Sequence, residues 1–245
     1  MKKLNIIRLV ILLTLVVFIG SSSALAVDTS KDNTVVIQLD PCKLAYLISN
    51  QYYGPNRPLI IFIPGSNECT NIQKTLNWIR DYELYDNIDC DLIAFSMNSS
   101  SIWYKDWESA CEDVISFILP YYSRLSDDEV FPIIVDAVSF GGYGGIYLVQ
   151  CGKRNGIFMD ELNMADACGY GVIPDMIEYI VNRGTFVNIW ASSGSGGISI
   201  STRKVISELE GSPNFYGEDF PSPHGAVLHK AIYEKNLHSE FAVGE

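Results

Sequence analysis

The segment VDAVSFGGYGG, residues 135–145, decides the fold. An apolar run that begins at Pro132 reaches Ser139, and four glycines fall among the next six residues. A buried strand that ends so abruptly in glycine has to turn sharply. The residues two before and two after the serine are Ala137 and Gly141, giving the pattern A-x-S-x-G. A serine on a tight turn from strand to helix has a strained backbone, which is tolerated when those two neighbours are small. Gly142 would then let the helix approach the strand closely. Ser139 reads as a nucleophile. The competing reading is a hydroxyl in a glycine-rich turn with no chemistry.

Outward from this turn, apolar runs alternate with helical periodicity. Strands are expected at 59–63, 91–97, 132–139, 158–165 and 186–191. Each is a short, nearly continuous apolar stretch of the kind buried on both faces. Helices are expected at 70–82, 103–119, 144–150, 172–182, 198–209 and 225–236, where apolar residues recur at three- and four-residue spacing. Residues 35–39 and 45–47 read as edge strands, and 214–216 as a short extended piece. Strands joined by single crossover helices imply a mostly parallel sheet covered on both faces, in one α/β domain. In such a sheet the chemistry collects at the carboxyl ends of the strands, where Ser139 falls.

The stretch SFGGYGG at 139–145 resembles the serine turn of α/β-hydrolase esterases, in particular the esterase family that includes feruloyl esterases. The resemblance implies an α/β-hydrolase fold and a Ser–Asp–His order along the chain. His224, in PSPHG before the last helix, stands where the fold places its base. His229 lies on that helix opposite its apolar stripe, a solvated position, and His238 follows it. The acid departs from the family's usual pattern. After the strand at 186–191 the chain reads ASSGSGG, without a carboxylate. One strand earlier, Asp166 in NMADACGYG resembles the acid of some lipases, and Asp219 is its rival. Backbone N–H groups of Phe140 and Ser66 are the expected oxyanion donors. Proline replaces the family's histidine in the second of those loops, PGSN at 64–67. Tyr143, Tyr170 and Trp103 are candidates for the pocket wall, although aromatics at such places more often pack a core.

The first 26 residues read as a secretion signal: Lys2, Lys3 and Arg8, an apolar run from Leu9 to Gly20, then Ala24-Leu25-Ala26. Cleavage after Ala26 leaves 27–245 as a single domain, outside the cell and without stable membrane insertion. The net charge of −12 becomes more acidic when the signal's cations leave, which disfavours nucleic acid as a partner. Six cysteines in an oxidising milieu permit up to three disulfides, and buried unpaired thiols are the alternative. There is no C-x-x-C, no H-E-x-x-H and no dinucleotide fingerprint, so neither a metal nor a cofactor is expected. The 19 residues between Asp166 and Phe186 hold one helix and two short connections. A lid domain is not expected there. The substrate reads as a small or polysaccharide-linked carboxylic ester with a short acyl or aryl group. Two rival readings remain: a binding scaffold of this fold that has lost catalysis, and a lipase, thioesterase or peptidase with the same triad.

Overall fold

A computed structural model describes residues 34–38, 42–48, 58–65, 72–85, 88, 90–97, 111–112, 114–116, 132–169 and 174–241; residues 34–38, 42–48 and 95–97 are described as backbone only. The expected signal at 1–26, its cleavage site, Ser66, Cys69, Trp103 and Tyr170 lie outside these residues. So does the side chain of Cys42.

Among the described residues, eight strands form one sheet. They are β1 (Thr34–Gln38), β2 (Cys42–Ile48), β3 (Leu59–Ile63), β4 (Asp91–Met97), β5 (Ile133–Val138), β6 (Glu161–Ala165), β7 (Phe186–Ser192) and β8 (Phe215–Phe220). Their spatial order is β1-β2-β4-β3-β5-β6-β7-β8. β2 runs antiparallel to both β1 and β4, and the six strands from β3 to β8 pair in parallel. Among the described residues, the helices that connect or follow them include α1 (Ile72–Asp81), α2 (Gly141–Arg154), α3 (Pro174–Val181), α4 (Gly197–Leu209) and α5 (Val227–Glu234). Residues 111–112 and 114–116, inside the expected helix 103–119, are also helical.

The alternation of side chains along each strand sorts the core into two layers. Ile61, Val135, Leu162 and Ile189 face α2, α3 and α4. Ile60, Phe62, Ile134 and Trp190 face α1 and α5. β3 and β5 are buried at every position, which explains why they read as unbroken apolar runs.

Two expectations need correction, and one open alternative is decided for the described cysteines. α2 starts at Gly141, not at 144: glycine weakens a helix, but close packing against neighbouring backbone decides here. A Cβ on Gly141 would lie 2.3 Å from the Ile63 carbonyl oxygen, and one on Gly142 would lie 2.2 Å from that of Ala167. The piece at 214–216 is a full edge strand, β8, whose FYGEDF pattern is half exposed and carries two acids. The four described cysteines, Cys90, Cys111, Cys151 and Cys168, are buried free thiols. Burial pushes the Cys168 thiol far up, so it behaves as a small hydrophobe and not as a nucleophile.

Candidate active site

Ser139 is the first residue beyond β5 and has φ of 55°, in the left-handed region where a non-glycine residue is strained. Its N–H donates to the carbonyl of Ala165 (3.2 Å), and its own carbonyl accepts from Gly142 N–H (3.2 Å). The turn is thereby tied on one side to the end of β6 and on the other to the first turn of α2. Phe140 occupies the position just before the first residue of α2. The contact of Gly141 with Ile63 and Pro64 sets this helix start against the loop that leaves β3. That loop leads to Ser66, which is outside the described residues. Positive potential at a helix start suits a developing oxyanion.

Asp166 follows β6 directly, also at positive φ (48°), and is fully buried. Its N–H donates to the carbonyl of Trp190 (2.6 Å), extending the β6–β7 ladder past the strand ends. Its carboxylate accepts four hydrogen bonds. Oδ1 takes Ser192 N–H (3.2 Å). Oδ2 takes the hydroxyls of Ser192 and Ser199 (2.7 Å each) and Nδ1 of His224 (2.6 Å). Burial alone would push the Asp166 carboxyl up. The bonds from His224, Ser192 and Ser199 outweigh it and hold the group below the ordinary carboxylate range.

A carboxylate only accepts, so Nδ1 of His224 carries the shared hydrogen and Nε2 is left with a lone pair. The His224 side chain is 44% exposed, open to solvent and substrate. Ser193 holds its loop, donating both N–H and hydroxyl to the carbonyl of Ser222 (3.2 Å each). Among the described residues, the Ser139 hydroxyl is not hydrogen-bonded to His224. In ligand-free hydrolases that bond is often long and tightens when substrate binds.

The structure thus brings Asp166 and His224 together and leaves the rival acid aside. Asp219 lies in β8, exposed, paired with Arg203 at 3.7 Å. Tyr143 is partly buried against the core, with its hydroxyl 3.3 Å from that of Tyr147. His229 is not simply solvated: its ring lies between Tyr82 and Tyr233, with centroids at 6.4 and 4.8 Å.

Sequence reasoning missed a second buried pair. Asp136, in the middle of β5, accepts from His238 Nε2 (3.0 Å), the Tyr85 hydroxyl (2.7 Å) and Asn163 (2.8 Å). Asn163 in turn accepts from Asn188 (2.8 Å), so a polar ladder crosses β5, β6 and β7 in register. The readable signal was an aspartate inside an apolar strand with an asparagine inside each of the next two: such groups must find partners when buried. Burial opposes charge on both partners, and their attraction wins. The Asp136 carboxyl is held low, and His238 is raised by Asp136, Glu161 and Glu240. Among the described residues, no group of three His, Cys, Asp or Glu side chains could hold a metal ion.

No protein-family model and no curated protein sequence matches the chain. Solved structures do. Carboxyl esterase 2 from the mycorrhizal fungus Tuber melanosporum superposes with a TM-score of 0.61 at 10% identity, over 91% of each chain. An esterase from Pyrobaculum calidifontis gives 0.56 at 11% identity, over 87% of this chain and 85% of its own. A predicted CIB-like hydrolase from Thermoplasma acidophilum gives 0.55 at 13%, over 86% and 97%. The fold is that of the α/β-hydrolases. In this fold the positive-φ Ser139 follows β5 and His224 follows β8.

Proposed function

We propose that this α/β-hydrolase cleaves carboxylic esters through an acyl-enzyme, with Ser139 as nucleophile, His224 as base and Asp166 as acid. The observation that carries the reading is the 2.6 Å bond from His224 Nδ1 to the buried Asp166, at the carboxyl end of the parallel strands, where Ser139 directly follows β5. With Nδ1 engaged, Nε2 takes the Ser139 proton as Oγ attacks the ester carbonyl. The tetrahedral oxyanion is met by the N–H groups of Phe140 and Ser66. Collapse expels the alcohol, which takes the proton back from Nε2. Water then repeats the sequence on the acyl group and frees Ser139.

The 44% exposure of the His224 side chain and the short connection of 19 residues between Asp166 and Phe186 support an open site without a lid. An open site forgoes the roughly 0.8 kcal/mol that each buried methylene would contribute, so short acyl or aryl esters are the preferred class, including those attached to sugars or polysaccharides. The basic, apolar and small-residue pattern of the first 26 residues supports export, which places such substrates outside the cell. A fluorophosphonate probe tests the reading. It should label wild type on Ser139 and leave Ser139→Ala unlabelled. An unlabelled wild type would favour a scaffold without catalysis, and a panel of oxygen esters, thioesters and anilides separates esterase from thioesterase and peptidase.

A further inference from the structure

Helix α4 presents Ser199, Thr202 and Arg203, at i, i+3 and i+4, along one face. Each grips a different part of the two turns that carry the candidate acid. The Ser199 hydroxyl donates to Asp166 Oδ2 (2.7 Å). The Thr202 hydroxyl accepts the N–H of Cys168 (3.2 Å), two residues past Asp166. Arg203 donates to the carbonyls of Ser192 (2.6 Å) and Gly194 (2.9 Å). Ser192, held in this way, gives Asp166 both its N–H and its hydroxyl. Ser192 and Ser199 are themselves buried, with their hydroxyl oxygens 2.7 Å apart.

Two hydroxyls therefore converge on Oδ2, the one oxygen that also holds His224. We propose that Ser192 and Ser199 are positioning residues that share Oδ2 with His224 and so set how tightly the acid holds that ring's proton. This rests on the triad proposed above. Hydroxyls that donate to a carboxylate stabilise its charge and lower its basicity. What they take up is not available to a developing imidazolium. Among the described residues, Asp166 is the charged group paired with the ring. The charges on the flanking elements are paired among themselves: Arg203 with Asp219, Lys204 with Glu208, Glu218 with Lys235 and Lys230 with Glu234. Ser192 also fixes the carboxylate's rotation, since its N–H holds Oδ1 and its hydroxyl holds Oδ2.

The test is the titration of the His224 ring, followed by NMR of its Cε1–H in the full chain, beside the pH profile of kcat/KM for nitrophenyl acetate. With three histidines in the sequence, a His224→Gln spectrum assigns the signal. Ser192→Ala and Ser199→Ala should each move the midpoint upward relative to wild type. A shift of about 0.3 unit is a twofold change in proton affinity, and that is the smallest effect the proposal accepts. The acid limb of kcat/KM should move with it. Ser199→Thr keeps a hydroxyl and should return the midpoint to the wild-type value. A merely structural role would lower the melting temperature and the rate while leaving the midpoint in place, and that result overturns the proposal. The NMR reading does not depend on turnover. A protein that never labels at Ser139 but shows the shift refutes the esterase reading alone, and an active protein without the shift refutes this one alone.

Discussion

Gly142→Ala probes the link between close packing and chemistry. The added methyl would lie 2.2 Å from the Ala167 carbonyl oxygen and 2.7 Å from the Ala167 Cβ, both on main chain or directly attached to it. Ordinary contact between such atoms is near 3.5 Å, so α2 and the turn after β6 must separate by about 1 Å. Overpacking of this size costs about 1–3 kcal/mol. The separation has a chemical consequence as well. Ala167 follows Asp166, while Gly142 N–H bonds Ser139, so the movement pulls the acid and the nucleophile apart. A misplacement of ~1 Å can lower turnover about 10²-fold, equivalent to roughly 2.7 kcal/mol of barrier. Gly145→Ala is the control. Its methyl would meet Leu162 Cδ1 at 2.8 Å and Ala137 Cβ at 3.2 Å. A leucine tip can rotate, and alanine adds up to about 1 kcal/mol of helix propensity. Urea unfolding and nitrophenyl acetate hydrolysis should rank Gly142→Ala far below Gly145→Ala on both measures. Equal stability and equal rates for the two variants would refute the packing argument.

Three further outcomes are expected. Asp166→Asn should lower kcat/KM much more than Asp219→Asn, by up to about 10⁴-fold, because the wrong histidine tautomer disables a triad; steady-state kinetics that rank Asp219 first would move the acid to β8. The Asp136–His238 pair should shape stability against pH. His238 is raised, so its contribution is complete below about pH 6.5 and is lost as pH climbs through the raised value; Asp136 is lowered, so its contribution is present above about pH 4 and is lost as pH falls through the lowered value. Urea midpoints should therefore fall from pH 6 to pH 9, and His238→Gln, which leaves Asp136 buried without its cation at a cost of about 3–5 kcal/mol, should be less stable at pH 6 and lack that slope; a slope that survives the substitution contradicts the assignment. Hydrolysis rates should favour short acyl chains and show no jump when a triglyceride crosses into emulsion; a jump with preference for long chains would contradict the open site.

The sequence was most readable where one local rule decides the structure. β3 and β5 announce themselves as unbroken apolar runs because both of their faces are buried. The turn at Ser139 is visible because its neighbours, Ala137 and Gly141, must be small. Asp166 and His224 were reachable from chain order and strand ends. Ser192, Ser199 and the choice of His238 as the partner of Asp136 were not, since each joins positions far apart in sequence and a serine carries no local sign of its partner. β8 was underestimated for a related reason. It is an edge strand, half solvated, with a glycine and two acids that a buried strand would not carry.

The central claim is that Ser139 carries the acyl group during turnover. Mix the protein briefly with nitrophenyl acetate, quench in acid, and map the acetyl group by peptide mass. The account predicts one acetyl group on Ser139 in wild type and none in Ser139→Ala, with the adduct persisting longer in His224→Gln if it forms there at all. Hydrolysis by wild type without an adduct on Ser139, or at an undiminished rate in Ser139→Ala, would contradict it.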